Sequence, residues 1–180
     1  MLALLFSIGE VPYAVACDRV REIVPVPELK PIPRAPAPFV GVFNYRGRIV
    51  PVVDLCRLIR GDSCRLRLST RIILAEAPAV GFRGGDAPRI YGLLAERVTE
   101  TVRAPDRESL EPAVRLRKAP YLGAIMMKDG EMIQWIDLDR LPDALDFLSG
   151  SDPGERNDKG ECDSPMGNDF PPRARSGDTP

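Results

Sequence analysis

Two segments of this chain recur in the same order, and this repetition constrains its fold more than any other feature. Residues 13–27 align with residues 91–105 at a constant offset of 78, and Tyr, Arg, Val, Glu, Val and Pro are identical. Residues 41–55 align with residues 123–138 at an offset of 82, which becomes 83 after one inserted residue near Asp129. Two ordered blocks predict two units of like topology, each too small to be stable alone.

Hydrophobic residues alternate with period two over residues 2–8 and 11–15, and further runs of β-type residues follow through most of the first 150 residues. Gly9-Glu10, Arg46-Gly47 and Asp129-Gly130 each separate two such runs, as tight hairpin turns do. Helical signal is limited to residues 54–59 and 137–145. The predicted strands are residues 2–8, 11–15, 40–45, 48–53, 71–75, 89–95, 122–127 and 131–136. This pattern predicts an all-β chain of two small barrels, each with about five short strands.

Composition excludes several functions. The 180 residues contain no histidine, which rules out histidine-based catalytic triads, His-rich zinc sites and a histidine phospho-acceptor. The formal net charge of −1 argues against a nucleic-acid binder. The four cysteines show no CxxC motif and no clustering, so we expect reduced thiols and no bound metal or other cofactor.

The two ends of the chain and two internal segments carry further expectations. The N-terminal apolar stretch is interrupted by Glu10 and Pro12, and no run reaches the length of a membrane span, so we expect a soluble, cytoplasmic protein without direct membrane insertion. Residues 149–180 are predicted to be a disordered tail.

Residues 25–38 hold six prolines and predict an extended connection, with a PxxP ligand as the alternative. Residues 77–88 are predicted to be a surface loop.

The block Gly-Val-Phe-Asn-Tyr-Arg-Gly-Arg-Ile-Val-Pro-Val-Val-Asp-Leu at residues 41–55 resembles the central signature of CheW, the coupling protein of bacterial chemosensory arrays. The opening L-x-F-x-x-G-E-x-Y hairpin, then V-x-E-I at residues 20–23 and I-P at residues 32–33, follow in the family's order. The resemblance covers about residues 2–148. The variants at residues 43–47, 68–71 and 134–135 look most like CheW-like proteins of the Wsp surface-sensing pathway.

This resemblance implies a fold, a role and two partners. The fold would be two tandem SH3-like five-stranded barrels with short helices, spanning residues 1–148 and divided roughly into residues 14–75 and residues 1–13 plus 76–148. The role would be a non-catalytic adaptor. Its partners would be the cytoplasmic tip of a methyl-accepting chemoreceptor and the regulatory domain of a CheA-type histidine kinase, in membrane-associated receptor arrays.

The resemblance also assigns candidate contact residues. Arg46 and Glu22 face each other beside the receptor-binding groove in the family pattern, and an arginine fork suits a carboxylate. An ordinary surface ion pair is the alternative. The receptor-binding set is Val20, Glu22, Ile23, Gly41, Asn44, Arg46 and Gly47. Kinase binding is assigned to Pro51, Val52 and Asp54, with Pro51 and Val52 on an edge strand.

Several residues have a structural interpretation beside the functional one. Asp54 and Asp137 are interpreted as helix N-caps, and Trp135 as core. The arginines at positions 57, 60, 65, 67 and 71 are interpreted as a solvated loop, with contact to phosphate or lipid as the alternative. Two other classes stay open: an SH3-like adaptor outside chemotaxis, and an enzyme that uses carboxylates such as Glu22, Glu96 or Asp137.

Overall fold

The structure, a computed structural model, describes residues 1–77, 89–105 and 116–141. The predicted loop after residue 77, the last four residues of the predicted helical stretch 137–145 and the predicted tail at residues 149–180 therefore lie outside the described residues. No helix in the described part of the chain is long and apolar enough to cross a membrane. The described elements are β1 (Leu2–Ile8), β2 (Val11–Ala16), a 3-10 turn (Cys17–Arg19), β3 (Val20–Pro25), β4 (Phe39–Tyr45), β5 (Arg48–Asp54), α1 (Leu55–Arg60), β6 (Arg71–Ala77), β7 (Arg89–Ala95), β8 (Thr101–Arg103), β9 (Leu122–Lys128) and β10 (Glu131–Ile136).

The strands form two five-stranded sheets, which confirms the predicted all-β fold of two barrel-like units. The strand order is β8-β1-β2-β10-β9 in one sheet, here called the second sheet, and β3-β6-β7-β5-β4 in the other, the first sheet. Replacing each strand by its counterpart in the repeat turns one order into the other. The parallel pair β2–β10 likewise corresponds to the parallel pair β7–β5.

The two repeats exchange their opening hairpins. The hairpin β1–β2 of the first repeat joins β8, β9 and β10 of the second, and the hairpin β6–β7 of the second repeat joins β3, β4 and β5 of the first. Strand pairing thus groups β7 with β3–β6, whereas the predicted division placed a boundary near residue 75. That division into subdomains stays a prediction.

The core runs between the sheets because β1 is apolar on both faces. Leu4, Phe6 and Ile8 join a large cluster with the first sheet, whereas Ala3 and Leu5 face a smaller cluster with Trp135 inside the second sheet. The predicted core position of Trp135, which is 4% exposed, is confirmed.

The dipeptide turns form as the sequence indicates. Arg46 and Gly47 both have positive φ (50° and 82°), as do Asp129 and Gly130 (52° and 85°), so both pairs close two-residue hairpins whose twist suits the flanking strands. Gly9 also has a positive φ, of 64°, between β1 and β2.

Three expectations need correction. Cys56 and Cys64 are joined by a disulfide, with their Cα atoms 5.1 Å apart, because the chain turns back after α1. Strand β5 is not an edge strand, because it lies between β4 and β7. Strands β3 and β8 were not predicted: the alternation of β3 is obscured by Glu22 at an inward position and Ile23 at an exposed one, and β8 is only three residues long.

Candidate partner-binding site

The hairpin turn between β4 and β5 presents the central arginine of the signature block. Asn44 accepts a hydrogen bond from the backbone N–H of Gly47 at 2.8 Å through its Oδ1 atom, which stabilises the turn. The left-handed backbone at Arg46 and Gly47 projects the Arg46 side chain to solvent, where it is 71% exposed. The sequence therefore builds a turn that presents an exposed guanidinium group.

Glu22, Tyr45 and Arg46 form a cluster across β3 and the β4–β5 hairpin. The Arg46 guanidinium donates to Glu22 Oε2 at 2.9 Å, and the Tyr45 hydroxyl donates to the same oxygen. The Arg46 guanidinium also lies over the Tyr45 ring, 5.1 Å from its centre. The structure thus brings Glu22 and Arg46 together as predicted, and it adds Tyr45 as a partner of both.

Tyr45 links this exposed cluster to the protein interior. Its ring is buried and lies edge-on to Phe43, with centroids 6.5 Å apart. The hydrogen bond to the Glu22 carboxylate raises the pKa of Tyr45, and burial adds to that rise. The sequence singled out Tyr45 only as part of the variant stretch at residues 43–47. Its hydrogen bond to a residue 23 positions away could not be read from the sequence.

Gly41 has a packing role that glycine alone can fill. Its φ is 147°, and a Cβ atom would lie 2.6 Å from the Lys30 carbonyl oxygen. Lys30 and Val42 exchange backbone hydrogen bonds of 2.8 Å in both directions, which ties the proline-rich connection to β4. Gly41 thus fixes the backbone of the strand that carries the site.

Val20 and Ile23 differ in their surroundings. Val20 is partly buried against the large core cluster, whereas Ile23 is 40% exposed. Ile23 is therefore exposed on the face of β3 opposite to Glu22, because successive side chains of a strand point to opposite faces, and the side chain of Val20 mainly supports the strand.

The residues assigned to kinase binding are mostly internal. Val52 is completely buried and Asp54 is 1% exposed, while Pro51 is half-buried. Asp54 Oδ1 accepts from the Arg57 N–H at 3.0 Å, which confirms its N-cap role at α1. A kinase contact at Pro51, Val52 and Asp54 stays a prediction, and Pro51 is the accessible member of the set.

Within the described residues, one group has potential metal-ligand atoms close together: the donor atoms of Asp54, Cys56 and Cys64 lie within 4.8 Å of one another. Both carboxylate oxygens accept backbone N–H groups, from Arg57 and Cys64, at 3.0 Å each. The two sulfur atoms bond to each other. The donor atoms are thus used within the protein, and the cluster is a structural staple of α1 and the following loop.

Comparison with known proteins agrees with this architecture. A family model described as CheW-like domain matches residues 2–145. The chemotaxis protein CheW of Rhizobium meliloti (strain 1021) is 26% identical over 137 residues, which cover 74% of this chain and 82% of that protein. The protein FrzA of Myxococcus xanthus is 29% identical over 107 residues, or 59% of this chain and 61% of FrzA. The crystal structure of the scaffolding protein TtCheW from Thermoanaerobacter tengcongensis superposes with a TM-score of 0.65 at 27% identity, covering 78% of this chain and 86% of that one.

The family match, the CheW relatives and the solved scaffolding protein of the same fold identify a non-catalytic coupling adaptor of the chemotaxis type. The chain belongs to the CheW-like domain family.

Proposed function

We propose that this chain joins the cytoplasmic tip of a methyl-accepting chemoreceptor to the regulatory domain of a CheA-type histidine kinase, within membrane-associated receptor arrays in the cytoplasm. The receptor contact is the Glu22–Tyr45–Arg46 cluster with Asn44 of the same hairpin turn, and Ile23 is a further exposed residue on the other face of β3. The observation that supports it most directly is the shared Glu22 oxygen, which holds an exposed guanidinium in a defined place.

The geometry suits reversible recognition of a protein surface. Arg46 stays exposed while its position is restrained by a carboxylate and by an aromatic ring, so little side-chain entropy is lost when a partner binds. The Tyr45 ring adds an aromatic surface directly under the guanidinium group. Arginine and tyrosine are both enriched at binding hot spots, and here they are in contact.

The test is receptor-dependent activation of the kinase in a reconstituted ternary complex. Arg46→Ala should weaken receptor binding about tenfold or more, because the loss of a charged hot-spot contact costs at least about 1.4 kcal/mol. Arg103→Ala is the matched control, since Arg103 is an exposed arginine on β8 in the other sheet. Unchanged activation by a folded Arg46→Ala protein would refute the assignment.

We further propose that the chain serves a Wsp-type pathway rather than flagellar chemotaxis. Tyr45 supports this, because the variant residue of the signature is itself part of the contact cluster. Binding to Wsp-type and flagellar receptor tips should be compared for the wild type and Tyr45→Leu. Preference of the wild type for the flagellar tip would contradict the proposal.

A further inference from the structure

A second concave site lies apart from the Glu22–Tyr45–Arg46 cluster and shares no residue with it. It is a cavity of about 130 Å³ lined by Gly9, Glu10, Arg60, Arg65, Arg67, Ser69, Glu96 and Arg97. Its walls come from the β1–β2 turn, the end of α1 with the loop after it, and the segment after β7. It is thus assembled where the exchanged hairpin of the first repeat meets the first sheet.

The back of this cavity is built around Glu96, which is 8% exposed. Its Oε1 atom accepts the Arg65 N–H at 2.6 Å, and its Oε2 atom accepts the Gly9 N–H at 3.2 Å. Its backbone carbonyl accepts the Ser7 N–H at 2.9 Å. One buried carboxylate therefore holds three chain segments together, and its two oxygens are satisfied by backbone donors.

Two of the guanidinium groups that line the cavity, those of Arg97 and Arg60, lie close to Gly9. The Arg97 side chain donates to the Gly9 carbonyl at 3.2 Å and pairs with the exposed Glu10 carboxylate. The Arg60 guanidinium lies so close that a Cβ atom on Gly9 would be 2.1 Å from its Nη1 atom. Arg97 itself has a φ of 43°, an uncommon backbone conformation for a residue other than glycine.

The arginine cluster that the sequence analysis interpreted as a solvated loop separates into two kinds. Arg57 donates to the Ser63 hydroxyl and the Ala37 carbonyl, and Arg71 donates to the carbonyls of Leu68 and Thr70, so these two hold the loop. The structure gives the side chains of Arg65 and Arg67 no ion pair among the described residues. Arg60 is 3.7 Å from Asp62, a carboxylate that is 79% exposed.

The side chains that line the cavity carry a net positive charge, which favours the binding of an anion. Four arginines and two glutamates line the cavity, which leaves a net charge of +2. A phosphomonoester carries a charge of about −1.5 to −2 near neutral pH and offers three acceptor oxygens. Guanidinium groups match phosphate oxygens in bidentate geometry, and Ser69 adds a hydroxyl donor. The cavity has room for several water molecules, and hence for one phosphoryl group.

We propose that this cavity binds one phosphoryl group, as inorganic phosphate or as the phosphate of a small phosphomonoester. Arg60, Arg65, Arg67 and Arg97 would hold its oxygens, while Glu96 keeps the three chain segments in place. Binding would join the first-repeat hairpin to the loop after α1, because the contributing residues come from both.

The test is a titration of the full chain, followed by the backbone amide resonances of Gly9, Arg65 and Glu96. Inorganic phosphate and glycerol 3-phosphate are added separately at pH 7, with sodium chloride adjusted to keep ionic strength constant. Saturable shifts with either compound are expected. The double variant Arg65→Gln/Arg67→Gln should raise the dissociation constant about tenfold or more, and Arg48→Gln, an exposed arginine outside the cavity, should leave it unchanged.

The two compounds also distinguish the source of the group. Saturation by both supports recognition of the phosphoryl group itself, and saturation by glycerol 3-phosphate alone supports an organic phosphomonoester. Shifts that sodium chloride reproduces, or equal constants for the wild type and the double variant, would overturn the proposal. Saturation by a hexaglutamate peptide without saturation by phosphate would also overturn it, in favour of an acidic partner segment. If the double variant is unfolded by circular dichroism, Arg60→Gln replaces it with the same expected loss.

Discussion

Replacing Asp54 tests whether this residue holds the structure together or contacts the kinase. Its carboxylate is buried, with one oxygen on the Arg57 N–H at the start of α1 and the other on the Cys64 N–H in the loop after the helix. Asp54→Ala removes both acceptors. We therefore expect a loss of stability in the free protein, before any partner is added.

The size of the loss follows from these two bonds. Loss of an N-cap costs about 1 kcal/mol. The Cys64 amide is left buried without its acceptor, which costs about 1–3 kcal/mol more. The free energy of unfolding should therefore fall by about 2–4 kcal/mol. For a chain of this length that corresponds to a decrease in Tm of roughly 5–15 °C.

The assay is urea unfolding and thermal unfolding of the oxidised protein, with two reference variants. Asp54→Asn keeps an oxygen for the cap but offers an amide group, rather than an acceptor, to the Cys64 N–H, so it should lose about 1–3 kcal/mol. Asp137 occupies the equivalent place in the second repeat, accepts the Asp139 N–H at 3.1 Å and is 23% exposed. Residues 138–140 form a turn rather than a helix, so Asp137 is not the N-cap that the sequence predicts, and Asp137→Ala should cost about 1 kcal/mol for one partly exposed hydrogen bond.

The relative stabilities of the three variants decide whether Asp54 is a structural residue or a kinase contact. Wild-type stability of Asp54→Ala together with a lost kinase complex would refute the capping argument and make Asp54 a contact residue. A smaller loss for Asp54→Ala than for Asp137→Ala would refute the argument from burial.

Three further predictions concern other parts of the fold. Reduction of the Cys56–Cys64 disulfide, which spans a sequence separation of 8, should lower the free energy of unfolding by about 2.5 kcal/mol, measured by urea unfolding with and without dithiothreitol; no change would contradict a stabilising role. Because its pKa is raised in the folded state, Tyr45 contributes stability that is present below pH 10 and lost as the pH rises through the folded pKa; Tyr45→Phe should remove this part of the alkaline loss, and an identical pH profile would contradict it. Gly92→Ala should cost about 1–3 kcal/mol, because its Cβ would lie 2.8 Å from Ile72 Cγ2 inside the first sheet, and a variant as stable as the wild type would show that the sheet relaxes.

Local features of the fold could be predicted because their causes are local. The strands β7 and β10 begin and end where the predicted runs of β-type residues do, and the turns at residues 46–47 and 129–130 follow from residues that adopt positive φ. The repeat predicted two like units. It could not show that the units exchange hairpins, because alternation sets the faces of a strand and leaves its neighbours open.

Of the Glu22–Tyr45–Arg46 cluster, only the pairing of Glu22 with Arg46 was predicted. Glu22 and Arg46 were paired through the resemblance to a family, since residues 24 positions apart carry no local signal of contact. The shared role of Tyr45, the disulfide and the arginine-lined cavity all depend on contacts between segments distant in sequence or turned back on themselves. In particular, Glu96 sits 31 positions from Arg65 and 87 from Gly9, so its function as a connector appears only in the folded chain.

The exchanged hairpins explain how a non-catalytic adaptor can keep its two sheets in a fixed relative position. Strand β1 buries Leu4, Phe6 and Ile8 in one cluster and Ala3 and Leu5 in the other, so neither sheet can move away without exposing apolar surface of this strand. Such exposure costs about 25 cal/mol for each Å². The Glu22–Tyr45–Arg46 cluster on the first sheet is therefore held rigidly relative to the second sheet. This rigidity is what an adaptor requires if it is to fix the relative position of a receptor and a kinase.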